Sequence, residues 1–409
     1  MYDAVCAIIP AIAWPRRKEG ITLMITNTER MTITAVENLT FTYRSHVGRD
    51  DEGHGHPALE HDATQTLMRV RTSAGIDGYC FGGSEATTNV ARRYIVGTDP
   101  LHREATWYKL LQGQRLERRA LDDRNLAAID CALWDFAGHL TGLPIYKLLG
   151  AARETVPAYA STMCGDDIPG GLDTPEAYGA FAKACKAQGY PAFKLHTWMS
   201  PHGPNLKRDI AACAAVRDAV GPEMKLMLDP HHDYTREEAL SLGHALEELN
   251  YYWMEEPMNE HSTSSFVWLT ENLTLPICGP ETAHGQMYTR AEWILRGASD
   301  ISRVGVFDVG GITPAMKTVH LCESFRIRCE IHGGGAPNLQ LLGAMAIPGE
   351  FYERGLLHPH VDFDAEKPWL KTPIDAIDRD GNVSMPQGSG LGEEIDWDFI
   401  KDNLAQDWH

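Results

Sequence analysis

The sequence predicts an α/β protein, a (β/α) barrel fronted by a small α+β domain, and three observations carry that expectation. Seven short apolar runs between Val156 and Ile331 alternate with longer amphipathic stretches, the pattern of parallel strands joined by helices. Three acidic residues, Asp229, Glu255 and Glu281, end three consecutive runs at separations of 26 and 26 residues. The segment before residue 150 lacks this alternation and reads as short β-rich runs followed by helix. With 409 residues, 43% of them hydrophobic, the chain can bury a sizeable core, and a closed barrel can absorb most of it as one unit.

Residues 1–30 read as a loosely attached leader, with Met24 or Met31 as alternative starts. Val5 to Trp14 is apolar but short, and Arg16, Arg17 and Lys18 follow it, the reverse of a signal peptide. Residues 31–150 form the expected α+β capping domain. Ile33–Tyr43, Thr66–Thr72 and Gly78–Phe81 are its strands. A polar loop from Arg44 to Asp62 carries Arg44, His46, Arg49, His54 and His56. Helical signals run from Glu85 to Leu148 and Gly150 closes them.

The barrel is expected over residues 151–358. Its strands are Val156–Ser161, Ala192–His196, Lys225–Asp229, Tyr252–Glu255, Leu275–Cys278, Ile301–Val304 and Arg328–Ile331. Pro175–Gln188, Leu206–Val220 and Arg236–Leu249 are among the helices between them. Residues 359–409 lose the periodicity and are expected to pack back on the N-terminal sheet.

The net charge of -19 argues against nucleic acid and anionic membranes as partners, because both need a basic face. Nine cysteines without a C-x-x-C pair fit a reducing cytoplasm rather than a disulfide scaffold. No apolar run of about 18 residues suggests a membrane span.

The C-terminal ends of barrel strands converge on one mouth, so Asp229, Glu255 and Glu281 are expected to meet there. Uncompensated, three carboxylates repel and take up protons; Mg²⁺, which prefers a few carboxylates, waters and substrate oxygens, resolves the conflict. Lys194 and His196 end the preceding strand two residues apart and so face the same way. A lysine there can stabilise developing negative charge, and a histidine can carry a proton. His231 follows Asp229 by two residues, and His332 ends the run before Gly333-Gly334-Gly335. Each of these is, by itself, as readily a structural residue; their convergence on one mouth argues for a site.

The run Ile129-Asp130-Cys131-Ala132-Leu133-Trp134-Asp135 with Gly142-Leu143-Pro144 and Leu148-Leu149-Gly150, Trp253-Met254-Glu255-Glu256-Pro257, Gly279-Pro280-Glu281 and Gly310-Gly311-Ile312-Thr313 together resemble motifs of the mandelate racemase branch of the enolase superfamily, over roughly residues 32–375. That resemblance implies a (β/α)7β-type TIM barrel with an α+β capping domain built from the N-terminal region and the C-terminal tail. It implies Mg²⁺ on Asp229, Glu255 and Glu281, with the first glutamate of the E-E-P motif as ligand. Lys194, His196 and His332 match its catalytic positions, and His231 resembles the D-x-H histidine of sugar-acid dehydratases. One position departs. Counting back from Gly310, the aspartate that usually pairs with the seventh-strand histidine falls on Gly305, and Asp308 is out of register, so the dyad is expected to be absent or rebuilt and His332 less basic.

The expected activity is Mg²⁺-dependent removal of the α-proton of a carboxylate through an enediolate, as a hydro-lyase that dehydrates a sugar acid to a 2-keto-3-deoxy acid. His196 or His231 is expected as base and His332 as acid or oxyanion partner. Arg44, His46, His54 and His56 would bind the polyol chain. A racemase, epimerase or lactone cycloisomerase shares the enediolate; a non-catalytic binding barrel is the alternative of a different class. A homo-oligomer acting on a small carboxylate is expected.

Overall fold

In the computed structural model, residues 30–50, 53–117, 120–199, 202–230, 232–346 and 349–409 are described. The expected leader, apart from its last residue, and His231 lie outside them.

The chain opens with a long antiparallel hairpin, β1 (Ile33–Arg49) and β2 (Gly55–Thr72), followed by β3 (Gly78–Phe81) and the helices α1 (Glu85–Ile95), α2 (Arg103–Gln114), α3 (Asp123–Thr141) and α4 (Ile145–Leu148). The barrel then runs as β4 (Thr155–Thr162), α5 (Pro175–Ala187), β5 (Ala192–His196), α6 (Leu206–Val220), β6 (Lys225–Asp229), α7 (Arg236–Glu248), β7 (Trp253–Glu255), α8 (Thr263–Asn272), β8 (Ile277–Cys278), α9 (Gln286–Arg296), β9 (Ile301–Val304), α10 (Ile312–Phe325), β10 (Arg328–Ile331), α11 (Ala336–Ala344) and β11 (Tyr352–Leu357). A short tail adds β12 (Asn382–Ser384), α12 (Trp397–Asp402) and β13 (Leu404–Gln406).

The parallel strands follow the order β10-β9-β8-β7-β6-β5-β4-β11. Between β10 and β11 a side chain bridges the seam: the buried Glu330 carboxylate accepts the backbone N–H groups of Glu350 (3.0 Å) and Phe351 (3.4 Å). The fold is the capped (β/α)7β barrel the resemblance implied. The eighth strand, β11, has no counterpart among the seven apolar runs, because Glu353 and Arg354 interrupt its apolar pattern. The Arg44–Asp62 segment is not a loop. Most of it extends the two arms of the hairpin, with register from Arg44↔Asp62 to Arg49↔Gly55. Polar residues dominate there because both faces of the arms are largely open to solvent. The cap helix also ends earlier than expected, at Gly142 in the left-handed region (φ 68°), before the separate turn α4.

Period-two alternation organises the barrel interior. Tyr159, Ala192, Met227, Trp253, Cys278, Ile301 and Phe351 pack into one apolar cluster. Two residues further along their strands come Ser161, Lys194, Asp229, Glu255, Arg303 and Glu353, all buried. A polar layer therefore lies directly on an apolar one, and the mouth lies above it.

The cap docks through the glycine turn before α10. Buried Asp130 of α3 accepts from Thr313 N (2.9 Å) and Thr313 Oγ1 (2.6 Å), an anion at a helix N-terminus, and Trp107 Nε1 donates to the Gly310 carbonyl (2.9 Å). A Cβ at Gly311, whose φ is +127°, would meet Asp130 Oδ2 at 2.3 Å, so the turn needs glycine there. The tail completes the cap: β13 pairs with β1, and Trp369 packs edge-on against Tyr43 (4.7 Å) and Phe41 (5.6 Å).

Candidate active site

The polar layer is a closed ion network. Lys194 Nζ lies 2.9 Å from Glu353, 3.1 Å from Asp229 and 3.2 Å from Glu255. Arg303 reaches Glu255 at 2.6 Å and Glu353 at 2.7 Å, and Trp253 Nε1 donates to Glu255 (3.1 Å). Burial works against the charge on Lys194, but Glu255, Glu353, Tyr159 and Asp229 outweigh it and hold the ammonium well above its ordinary value. Glu255 is thus neutralised from two sides.

Above it, one ligand-donor oxygen each from Asp229, Glu256 and Glu281 lies within 4.8 Å of the others, the one such metal-competent group among the described residues. Glu256 rather than Glu255 completes this triplet. Glu256 sits at the end of β7 with φ +26°, an uncommon value for a residue bearing a side chain. Its Oε2 is buried without a hydrogen-bond partner. Burial, then repulsion from Glu281, Asp229, Glu260 and Glu255, pushes its pKa well above the usual carboxylate value. Burial likewise raises Glu281, with His332 opposing.

Two imidazoles flank the triplet. His196 Nδ1 faces the Thr162 carbonyl at 2.6 Å, and a carbonyl only accepts, so Nδ1 carries the proton and Nε2 is aimed at Asp229 (3.1 Å). His332 lies 3.0 Å from Glu281 through Nε2 and 2.5 Å from Asp308 through Nδ1, with its side chain 27% exposed. The His–Asp dyad is therefore rebuilt, with Asp308 in place of the strand-end position. A Cβ at Gly305 would lie 2.0 Å from Asp308 Oδ2, so glycine there makes room for the displaced carboxylate. The expectation of a less basic His332 is overturned. Burial opposes its charge, but Asp308 and Glu281 prevail and lift its pKa to about 10.

The hairpin divides the remaining expected residues. Arg44 turns outward to Glu60 and Asp62, 2.8 Å each, with its side chain 54% exposed, and His46 is exposed on the same side. His54 and His56 instead gather on Asp50 at 3.2 and 3.0 Å. Asp50 and Asp229 both raise the buried Cys164 thiol, after burial itself, so this tip lies near the mouth. Arg303, Glu353 and Asp50 went unread in the sequence, and Glu256 was passed over in favour of Glu255. Arg303 alone carried a signal, two residues beyond inward-facing Ile301.

A capped barrel with a cluster of carboxylates able to hold a cation between two imidazoles defines a class of site, and the sequence comparisons narrow it. Residues 177–399 match the Enolase C-terminal domain-like family, and residues 58–150 match the Mandelate racemase / muconate lactonizing enzyme N-terminal domain. D-galactarolactone cycloisomerase of Agrobacterium fabrum is 30% identical over 351 residues, covering 82% of this chain and 89% of that protein. L-talarate/galactarate dehydratase of Salmonella typhimurium is 30% identical over 340 residues, covering 80% and 79%. A crystal structure of D-glucarate dehydratase from Agrobacterium tumefaciens complexed with magnesium superposes with a TM-score of 0.89 at 47% identity, covering 92% of this chain and all of that one. The chain belongs to the mandelate racemase branch of the enolase superfamily.

Proposed function

We propose that this protein is a Mg²⁺-dependent hydro-lyase that converts a sugar acid to a 2-keto-3-deoxy acid. The observation that carries the reading is the buried carboxylate triplet with an imidazole on each side. Three hard oxygen donors, one orphaned by burial, suit Mg²⁺. Asp229 and Glu281 would hold it. The geometry offers Glu256 as third ligand, and the motif register offers Glu255. When bound, the ion supplies the charge that lowers the cost of ionising the substrate's α-carbon.

The chain's own groups do the rest. Lys194 and Arg303 hold Glu255 and Glu353 in a charge-matched floor beneath the site. His196, with its tautomer set by Thr162, presents Nε2 as the base for the α-proton. His332 is kept protonated by Asp308 and delivers its proton to the departing β-hydroxyl. This retains the expected roles of the two histidines on a different footing, since Asp308 makes His332 the better acid. His231, two residues past Asp229 in sequence, is a second candidate base.

Incubation with a panel of sugar acids and Mg²⁺, assayed for 2-keto acid, tests the reading. Its failure would be turnover of none of them, or release of isomers without 2-keto product. The second outcome would favour a lactone cycloisomerase, the activity named for the Agrobacterium fabrum relative.

A further inference from the structure

Of the three carboxylates in the triplet, Glu281 has the least strand behind it. Asp229 closes the five-residue β6, where it pairs with His196 of β5, and Glu256 follows β7 directly. β8 is only two residues long, and Glu281 comes three residues after it, in a stretch of backbone, 279–285, that belongs to no strand or helix. No ladder fixes this residue, so its buried amides and carbonyls need other partners.

Two buried charges from neighbouring elements supply them. The Glu260 carboxylate, between β7 and α8, accepts the N–H groups of three successive residues, Glu281 (2.5 Å), Thr282 (2.8 Å) and Ala283 (2.8 Å), and the Thr282 hydroxyl (3.2 Å). Consecutive amides turned to one point form an anion-binding concavity, and here the anion is the chain's own. Arg290 of α9 donates to the carbonyls of Pro280 (3.2 Å), Glu281 (2.5 Å) and Ala283 (2.7 Å), and its Nε to the Arg303 carbonyl of β9 (3.3 Å). Both side chains are buried, Arg290 completely. Among the described residues neither makes an ion pair, so the dipoles of one loop take up both charges. The shortest bond of each set belongs to Glu281, whose N–H and carbonyl are thus held from opposite sides. Its carboxylate then faces His332 (3.0 Å) and Arg303 (3.4 Å).

We infer that Glu260 and Arg290 are positioning residues for Glu281, fixing its carboxylate for a divalent cation and so setting how tightly the mouth holds one. The inference rests on the Mg²⁺ reading above and extends it to two residues outside the triplet.

The test measures the Mg²⁺ dissociation constant by titration calorimetry on EDTA-stripped, dialysed protein without substrate. Glu260→Gln keeps the side chain's shape, removes its charge and turns an amide donor toward backbone donors. It should weaken Mg²⁺ binding about 10- to 100-fold, the usual cost of disturbing a group that orients a metal ligand. Arg290→Met should also weaken it. A purely coulombic role predicts opposite signs, since loss of the Arg290 charge would then tighten the binding of a cation. Glu260→Asp and Arg290→Lys keep the charges and should show smaller losses; they carry the test if the first pair does not fold. Glu330→Gln is the control. It weakens the same kind of carboxylate–amide contact at the seam between β10 and β11, and should leave the Mg²⁺ constant nearly unchanged whatever it does to stability. A misfolded fraction lowers the stoichiometry, not the constant. Wild-type affinity in folded Glu260 or Arg290 variants, tighter binding in Arg290→Met, or an equal loss in Glu330→Gln overturns the inference while the Mg²⁺ reading stands. A wild type that binds no Mg²⁺ overturns both.

Discussion

Two layers of one barrel hold carboxylates under opposite conditions. In the floor, Glu255 and Glu353 share Lys194 and Arg303, so every buried charge has a partner within about 3 Å. At the mouth, Glu256 and Glu281 crowd Asp229; although Lys194 reaches Asp229 (3.1 Å) and Arg303 reaches Glu281 (3.4 Å), burial, and for Glu256 the repulsion of its neighbours, raises the pKa values of Glu256 and Glu281. The same residue type is structural in one layer and unfinished in the next. The barrel closes its own electrostatics in the floor and leaves them open at the mouth, where the proposed cation and substrate would complete them.

The sharpest way to break this comparison is a pair of neighbouring substitutions. Glu255→Gln takes one carboxylate partner from each of two buried cations and should cost about 2–4 kcal/mol of stability, read by denaturant unfolding in EDTA. Glu256→Gln should leave metal-free stability equal or higher while abolishing Mg²⁺-dependent stabilisation. The pH dependence separates them further. A carboxyl whose folded pKa lies above its ordinary 4.5 binds more protons folded than unfolded, so its contribution to stability falls as pH rises through that window. Metal-free Glu256→Gln should therefore lose less stability than wild type between pH 4.5 and neutrality. Equal slopes would remove Glu256 from the strained layer.

Next in size is the dyad. His332→Asn should retain α-proton exchange in D₂O, followed by NMR, while losing elimination by about 10²- to 10⁴-fold. Asp308→Asn should show the same split in milder form. Loss of exchange in His332→Asn, with exchange kept in His196→Asn, would reverse the assignments of base and acid.

A smaller effect is expected from the metal itself. Mg²⁺ at about 100 times its dissociation constant should stabilise the wild type by about 2.7 kcal/mol, and Glu281→Gln should erase the gain. A melting temperature blind to Mg²⁺ and EDTA would mean that the mouth is satisfied without a cation. Smallest is Arg44→Ala. Its solvent-exposed pairs should leave the melting temperature nearly unchanged, and specificity should not change. A shift in substrate preference would mean that the hairpin turns Arg44 inward during catalysis.

The barrel was legible because apolar runs and helical stretches alternate, and six of the seven expected strands match to within one residue at either end. β11 escaped because its inward Glu353 is neutralised by Lys194 and Arg303, distant partners that no local pattern announces. Asp229 and Glu281 could be read from their spacing. Glu256 could not, because alternation points Glu255 inward and only a positive φ swings the next residue round. Asp308 was visible but dismissed on register, which assumes that a carboxylate must come from the strand end. Here a turn delivers it to the same imidazole nitrogen.

That substitution of turn for strand end carries a historical constraint. Asp308 occupies the volume a side chain at residue 305 would need, since a Cβ there would come within 2.0 Å of its carboxylate. The two ways of supporting the histidine exclude each other sterically. A lineage cannot hold both at once and then discard one; it must pass through a form with an unsupported imidazole, or change both positions together. Gly305 and Asp308 thus form one coupled unit, and a change at either position bears on how the imidazole is held.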